Sequence, residues 1–240
     1  QRVIVSEVPG TTRDAVDVDF EWKGRPLTLV DTAGVHRRTK VADAVEYFSL
    51  TRTDQAVRRA DVALLFLDLL EPVVRLDQEL ARTAIDRYKP SVVVGTKTDL
   101  VPDETNRDFR DRVGHKLPHL QESPLCRISN TEARGLDKVL DLAFSLHEEG
   151  ARRIGTGELN RALRASFATL RFRGRGEKPK AYYATQLRTS PPTFLLFVNE
   201  NRLFEKEVLR TLSRDLRRRL GFPRVPIRLV LRRRSQSGGS

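Results

Sequence analysis

A single cysteine, Cys126, is all the thiol chemistry this 240-residue chain holds, and methionine is absent altogether. No intramolecular disulfide can form, so a stapled secreted scaffold is excluded and a reducing compartment is the expected setting. Cys126 itself reads as a small buried hydrophobe. No run of about 18 apolar residues occurs, and a soluble protein is expected. Histidine is sparse: His36, His115, His119 and His147 share no metal-ligand spacing and have no paired cysteines near them, so no zinc site is expected. The chain begins at Gln1 with no charged-then-apolar leader, and the expectation is the interior of a longer protein.

What the chain does have is charge, and the charge is segregated. The net value is +12, yet residues 1–154 carry 24 Lys/Arg against 26 Asp/Glu (net −2), whereas residues 155–240 carry 20 against 6 (net +14). Polyanions, RNA above all, are the expected partners of such a segment, because neutralising phosphates releases condensed counterions.

In the first part, short apolar runs alternate with helix-compatible stretches. Leu27 to Val30 ends at Asp31, Val62 to Leu67 ends at Asp68, and Ser91 to Val94 ends at Gly95. Each run is apolar throughout, the pattern of a strand covered on both faces. Val41 to Arg59 and Gln78 to Tyr88 have helical spacing. This rhythm predicts an α/β doubly wound parallel sheet. Glycine and polar residues from Gly150 to Gly157 suggest a boundary, giving domains 1–154 and 155–234 and a disordered tail 235–240. The second domain reads as helix (158–170), strand (181–187), strand (193–198), helix (204–220), strand (227–231), a small α+β unit.

Four short motifs follow one another at strand ends or in loops. Thr11 and Thr12 offer hydroxyls that can complete magnesium coordination beside a terminal phosphate. Asp31 projects from a sheet's C-terminal edge, where ligands of open α/β sheets bind; it can hold magnesium, partly through water, while the Gly34 amide approaches a phosphate unobstructed. In Thr96-Lys97-Thr98-Asp99 the aspartate can accept two hydrogen bonds from guanine donors that adenine does not present in that pattern, and the lysine stem can cover the base. Ser129 and Asn130 come last, placed to cap the guanine carbonyl. Each motif alone recurs by chance; the four in this order point to a guanine-nucleotide site.

On these residues the chain resembles the GTPase family called Der or EngA, whose members carry two consecutive G domains and a KH-like domain. The stretches that carry the resemblance are Val8 to Asp14, Val30 to Val35 with the basic Arg37 to Lys40, Asp43 to Glu46 with Phe48, Ser190 to Phe194, and Pro226 to Arg228. The resemblance implies a P-loop-NTPase-like sheet followed by a KH-like domain. It further implies GTP and GDP as ligands with Mg2+, K+ assistance in the intact protein, and GTP-dependent maturation of the large ribosomal subunit. Bacterial cytoplasm or an organelle matrix is the implied location, with no membrane and no DNA partner.

Departures from the family pattern bear on activity. No Gly-x-x-x-x-Gly-Lys-Ser/Thr loop occurs, although it normally cradles the β-phosphate. In the family that loop lies just upstream of the position of Gln1, so truncation is the simpler expectation, with the first strand, the loop and the first helix missing and this chain inactive alone. Thr96 stands where the family has asparagine and Asn130 where it has alanine; both imply weaker guanine binding. Val35 occupies the position where many small GTPases carry a water-orienting glutamine, and no general base is assignable.

No Gly-x-x-Gly occurs either, so the nucleotide-clamping loop of ordinary KH domains is absent. RNA contacts are expected instead from Arg171, Arg173, Arg175, Lys178 and Lys180, from Arg214, Arg217, Arg218 and Arg219 on one helix, and from Arg232, Arg233 and Arg234. Tyr182, Tyr183 and Phe194 are expected in the core, where strand aromatics more often sit. The competing reading is a catalytically dead GTPase-like scaffold on a ribosome or assembly intermediate. An adenine-nucleotide enzyme or DNA-binding regulator is more distant, since Asp99 favours guanine and no helix-turn-helix pattern is evident.

Overall fold

The computed structural model describes residues 17–30, 53–170 and 177–234. The chain divides into two compact units, residues 1–60 and 61–240. In the first, β1 (Asp17–Trp22) and β2 (Arg25–Val30) form an antiparallel hairpin. Lys23 and Gly24 between them both have positive φ, 50° and 76°, the turn geometry whose twist matches a two-residue hairpin. Here the sequence expectation needs correcting. The Leu27 to Val30 run is a half-exposed strand paired with β1, and β1 alternates acidic with apolar residues and so offers no apolar run to detect. Residues 53–59 are helical, the last part of the expected 41–59 helix. Arg59 forms an ion pair with Asp17.

In the second unit, β3 (Ala63–Asp68), β4 (Ser91–Thr96) and β5 (Leu125–Arg127) form a parallel sheet in that order. Three helices connect and follow the strands: α1 (Arg75–Asp86), α2 (Asn106–Lys116) and α3 (Leu136–Gly150). Alternate side chains of the strands face opposite layers. Leu67 and Val93 pack with Ala81 of α1 and with Phe109 and Val113 of α2. Val92, Val94, Cys126 and Ile128 pack with Val139 and Leu146 of α3. Helices on both faces explain the uninterrupted Val92-Val93-Val94 run, every member of which is fully buried. Helix α2, which has few apolar residues, is started by a reciprocal cap. The Thr105 hydroxyl accepts from the Asp108 amide (3.2 Å), and the Asp108 carboxylate accepts from the Thr105 amide (2.9 Å). Burial raises the pKa of the Cys126 thiol, in keeping with a packing role.

The remaining elements follow in the expected order: α4 (Thr156–Thr169), β6 (Ala181–Arg188), β7 (Thr193–Val198), α5 (Lys206–Arg219) and β8 (Arg228–Arg233). Their sheet runs β6-β7-β8, antiparallel then parallel. The inner face carries Ala184, Phe194, Leu196 and Val198 against Leu159 and Leu163 of α4 and Leu212 and Leu216 of α5. Asn160 fastens α4 to the edge strand β6. Its Nδ2 donates to the carbonyls of Ala184 and Thr156, both at 2.8 Å, and its Oδ1 accepts from the Ala184 amide at 2.9 Å.

Residues 150–157 are well tied down. Gln186 accepts from the Ile154 amide (2.7 Å) and donates to the Arg152 carbonyl (3.2 Å). Glu149 holds Arg224 (2.9 Å), and one hydrophobic cluster continues from Val92 and Leu146 through Ile154 to Leu212 and Val225.

Candidate functional site

Three segments meet at the C-terminal edge of the parallel sheet, the side on which open α/β sheets bind ligands. They are the ends of β3 and β4 and the loop after β5. The β4 peptide and the β5 loop are laced together, with the Ile128 amide donating to the Gly95 carbonyl (2.8 Å) and the Thr98 amide to the Ile128 carbonyl (3.1 Å). Thr96 donates its hydroxyl to the Leu67 carbonyl at 3.3 Å, so this side chain ties β4 to β3. Lys97 adopts a left-handed conformation (φ 62°, ψ 38°) at the start of a short 3-10 turn, Thr98–Leu100. A lysine held there is a local strain of the kind that clusters at ligand sites. Its Nζ lies 2.7 Å from Asp68 Oδ2, and this hydrogen bond and charge raise the lysine pKa.

Asp99 faces the β5 loop. A hydrogen bond from Ser129, then one from its own backbone amide, hold its carboxyl below the usual carboxylate range, and Thr131 and Arg134 push the same way. Ser129 is completely buried, its hydroxyl 2.9 Å from that of Thr131 and accepting from the Glu132 amide at 3.2 Å. The loop turns back by a bridge between Ser129 and Arg134. It closes at Gly135, where φ is +84° and an added Cβ would lie 2.5 Å from the Arg127 carbonyl oxygen, so only glycine fits.

Beneath, the buried Glu104 carboxylate pairs with Arg112. Arg127 donates to the carbonyls of Glu104 and of Val101 (3.3 Å), which fixes the segment after Asp99. The arrangement presents an ionised, acceptor-only carboxylate beside a lysine stem on a stiff rim, the requirement for reading a base edge with two adjacent N–H donors.

Thr96, Lys97, Asp99, Ser129 and Asn130 are thus brought into one place, with Ser129 inside and Asn130 exposed. Thr11, Thr12, Asp31 and Gly34 lie outside the described residues, as do Arg171, Arg173 and Arg175. Thr131 was not anticipated; its hydroxyl is two residues beyond Ser129 and offered no motif of its own.

The basic residues of the last domain divide into two kinds. Lys178, Lys180, Arg214, Arg218, Arg219, Arg232, Arg233 and Arg234 are exposed. Within this group Arg218 and Arg219 share Asp215 (3.2 and 2.6 Å), and Arg233 pairs with Glu200 at 2.8 Å. Arg217 corrects the sequence reading. It is turned inward, donating to the carbonyls of Phe222 (3.2 Å), Val225 (2.8 Å) and Pro223 (2.9 Å) and pairing with Glu122 at 2.5 Å. Its guanidinium closes the turn after α5 and does not belong with the exposed basic residues.

The tyrosines depart from expectation too. Phe194 is buried, but Tyr182 and Tyr183 are 50% and 44% exposed. The pairing of β6 with β7 steps from Ala181↔Val198 to Tyr183↔Phe197, so Tyr182 is an inserted residue. A bulge of this kind re-aims side chains.

Residues 153–232 match the family model described as the KH-domain-like C-terminal region of EngA bacterial GTPase enzymes, and residues 1–97 match the 50S ribosome-binding GTPase model. GTPase Der of Sulfurihydrogenibium sp. is 38% identical over 234 residues, covering 97% of this chain and 52% of its own length. GTPase Der of Thermomicrobium roseum is 39% identical over 241 residues, covering 98% and 52%. The chain therefore spans about half the length of the curated relatives it matches. Era from Aquifex aeolicus superposes with a TM-score of 0.46 at 18% identity, covering 96% of this chain and 84% of its own. With GTPase-domain sequence at one end and the EngA KH-like domain at the other, the chain belongs to the Der (EngA) family of GTPases.

Proposed function

We propose that this chain supplies the guanine-recognising rim and the RNA-binding domain of a GTPase that converts GTP to GDP and phosphate during assembly of the large ribosomal subunit. The observation that carries the reading is the placement of Asp99, Lys97 and Ser129 on one sheet edge, with Asp99 held ionised by its neighbours. Asp99 accepts the N1 and N2 protons of guanine, the Lys97 stem lies along the base, and amides of the Ser129–Asn130 segment face the guanine carbonyl. Thr12 and Asp31 bring the hard oxygen donors that magnesium prefers. When bound, the ion would offset charge on the β- and γ-phosphates. Thr11 and Gly34 would complete the phosphate side. For potassium the sequence shows no ligand set. Residues 155–234 form the RNA-binding part, facing a large-subunit precursor with the exposed lysines and arginines named above, together with Arg171, Arg173 and Arg175.

A scaffold reading draws on one specific observation: the Lys97 ammonium is already paired with Asp68. Equilibrium binding of labelled GDP with magnesium decides between the two. It should be measured on this chain and on the product of its coding region read from the natural start codon. Binding by either protein, abolished by Asp99→Ala and redirected toward xanthosine diphosphate by Asp99→Asn, supports the GTPase. Absence of binding by both leaves the scaffold. Asp99→Asn is informative because it exchanges an acceptor for a donor at the base edge.

A further inference from the structure

The basic domain has a second feature that its charge does not account for. The outer face of the β6-β7-β8 sheet, away from α4 and α5, ends in a row of aromatic and cationic side chains. Register places Tyr183 opposite Phe197 and Phe197 opposite Arg232. The Tyr183 and Phe197 ring centroids are 6.0 Å apart, and the Arg234 guanidinium lies 5.3 Å from the Tyr182 ring centroid. Ala181 and Ala184 pack into the inner core, so the extra residue of the bulge puts two consecutive tyrosines on the solvent side. An ordinary strand would alternate them. The corner of the same face at Arg228 is occupied, with its guanidinium 5.9 Å from the ring of Tyr88 in the turn after α1.

The surroundings are cationic. Lys178 and Lys180 precede β6, and Arg232 and Arg234 flank the rings. The nearby carboxylates are engaged, Glu200 with Arg233 (2.8 Å) and Glu177 with the Asn199 amide (3.0 Å). Half-exposed rings beside arginines, on a sheet surface, suit bases that are out of a duplex, since a base inside a helix has both faces covered.

We infer that this row is a stacking platform for single-stranded RNA. Tyr182 and Tyr183 each take the face of a base, and Arg232 and Arg234 hold the intervening phosphates. This rests on the RNA-binding reading of the domain and narrows it to a site and a strand state.

The test is fluorescence anisotropy with a short, labelled, mixed-sequence single-stranded RNA and with its duplex, on the full chain at several salt concentrations. Tyr182→Leu and Tyr183→Leu should each weaken single-strand binding by about tenfold or more, leaving the salt slope unchanged and duplex binding nearly so. Tyr182→Phe and Tyr183→Phe should restore affinity. Arg232→Gln with Arg234→Gln should instead flatten the slope, by about 0.7 for each phosphate no longer neutralised. If wild type binds with a steep salt slope but the leucine variants match it, the platform is overturned and the general RNA reading stands. If wild type binds neither RNA, both are overturned. Thermal melts of the leucine variants should match wild type, because both rings are half exposed.

Discussion

Removing the amide of Asn160 should cost far more than a single side-chain hydrogen bond. Its carboxamide satisfies both the N–H and the C=O of Ala184, which is fully buried, and also reaches the Thr156 carbonyl. Strand β6 lies at the edge of its sheet, so these two main-chain groups have no strand partner on that side. Asn160→Ala leaves both without a partner. At about 1–3 kcal/mol for each buried unsatisfied group, the loss comes to about 2–6 kcal/mol. Urea unfolding followed by far-ultraviolet circular dichroism reads the free energy, and amide exchange at Ala184 reports the local opening. Asn160→Asp adds a diagnostic. One oxygen still accepts from Ala184, while the other faces two carbonyls, so the new carboxyl favours its protonated form. Destabilisation should therefore grow as pH rises above about 4, because the unfolded chain releases a proton that the native state retains. A loss below about 1 kcal/mol for Asn160→Ala would refute the reasoning, showing that water takes over both Ala184 groups.

Three further outcomes follow from the geometry. Gly135→Ala forces a side chain into a left-handed conformation with its Cβ against a carbonyl oxygen; a cost of at least about 2 kcal/mol is expected in denaturant titrations, together with weakened guanine-nucleotide binding. Ser129→Ala removes the main cause of the low Asp99 pKa, so carboxyl titration by NMR should show an upward move toward the ordinary value. Because the folded pKa is depressed, the stabilisation from ionised Asp99 is present above the ordinary carboxylate range and is lost as pH falls through the folded value; the variant should show a weaker acid-side dependence, since the backbone amide, Thr131 and Arg134 still act on the carboxyl. Arg217→Ala opens the turn after α5 and should destabilise by about 2–4 kcal/mol, given typical charged hydrogen bonds. Arg217→Lys should not rescue it, and the salt slope of RNA binding should stay the same, in contrast to Arg232→Gln.

Much of the architecture was legible because the relevant forces are local in sequence. A strand buried on both faces must be apolar at every position, so β4 announces itself. Strand β3 is apolar as well, but it is covered less completely than its sequence suggests, with Phe66 51% exposed, and the five elements of the basic domain follow the expected order. Elements with weak or mixed patterns escaped. Helix α2 rests on a cap and two buried residues, β5 is three residues long, and β1 alternates acidic and apolar side chains. The motifs that suggest a guanine site are short strings in a fixed order, yet nothing in those strings joins Thr131 to Asp99 or Lys97 to Asp68. Those pairings arise from the return of the β5 loop through Gly135 onto the end of β4.

By itself the sequence determined the family, the parallel sheet, and the confinement of positive charge to the last third, all properties of residue type and linear spacing. Tertiary structure alone decided which charges and rings face solvent. Arg217 and Arg218 are neighbours of identical chemistry, but the turn of residues 222–225 lies over one and water over the other. Phe194 and the two tyrosines all sit in strands, but a single inserted residue in β6 turned Tyr182 and Tyr183 outward. Burial depends on what the rest of the chain places opposite a side chain, and a linear pattern does not encode that.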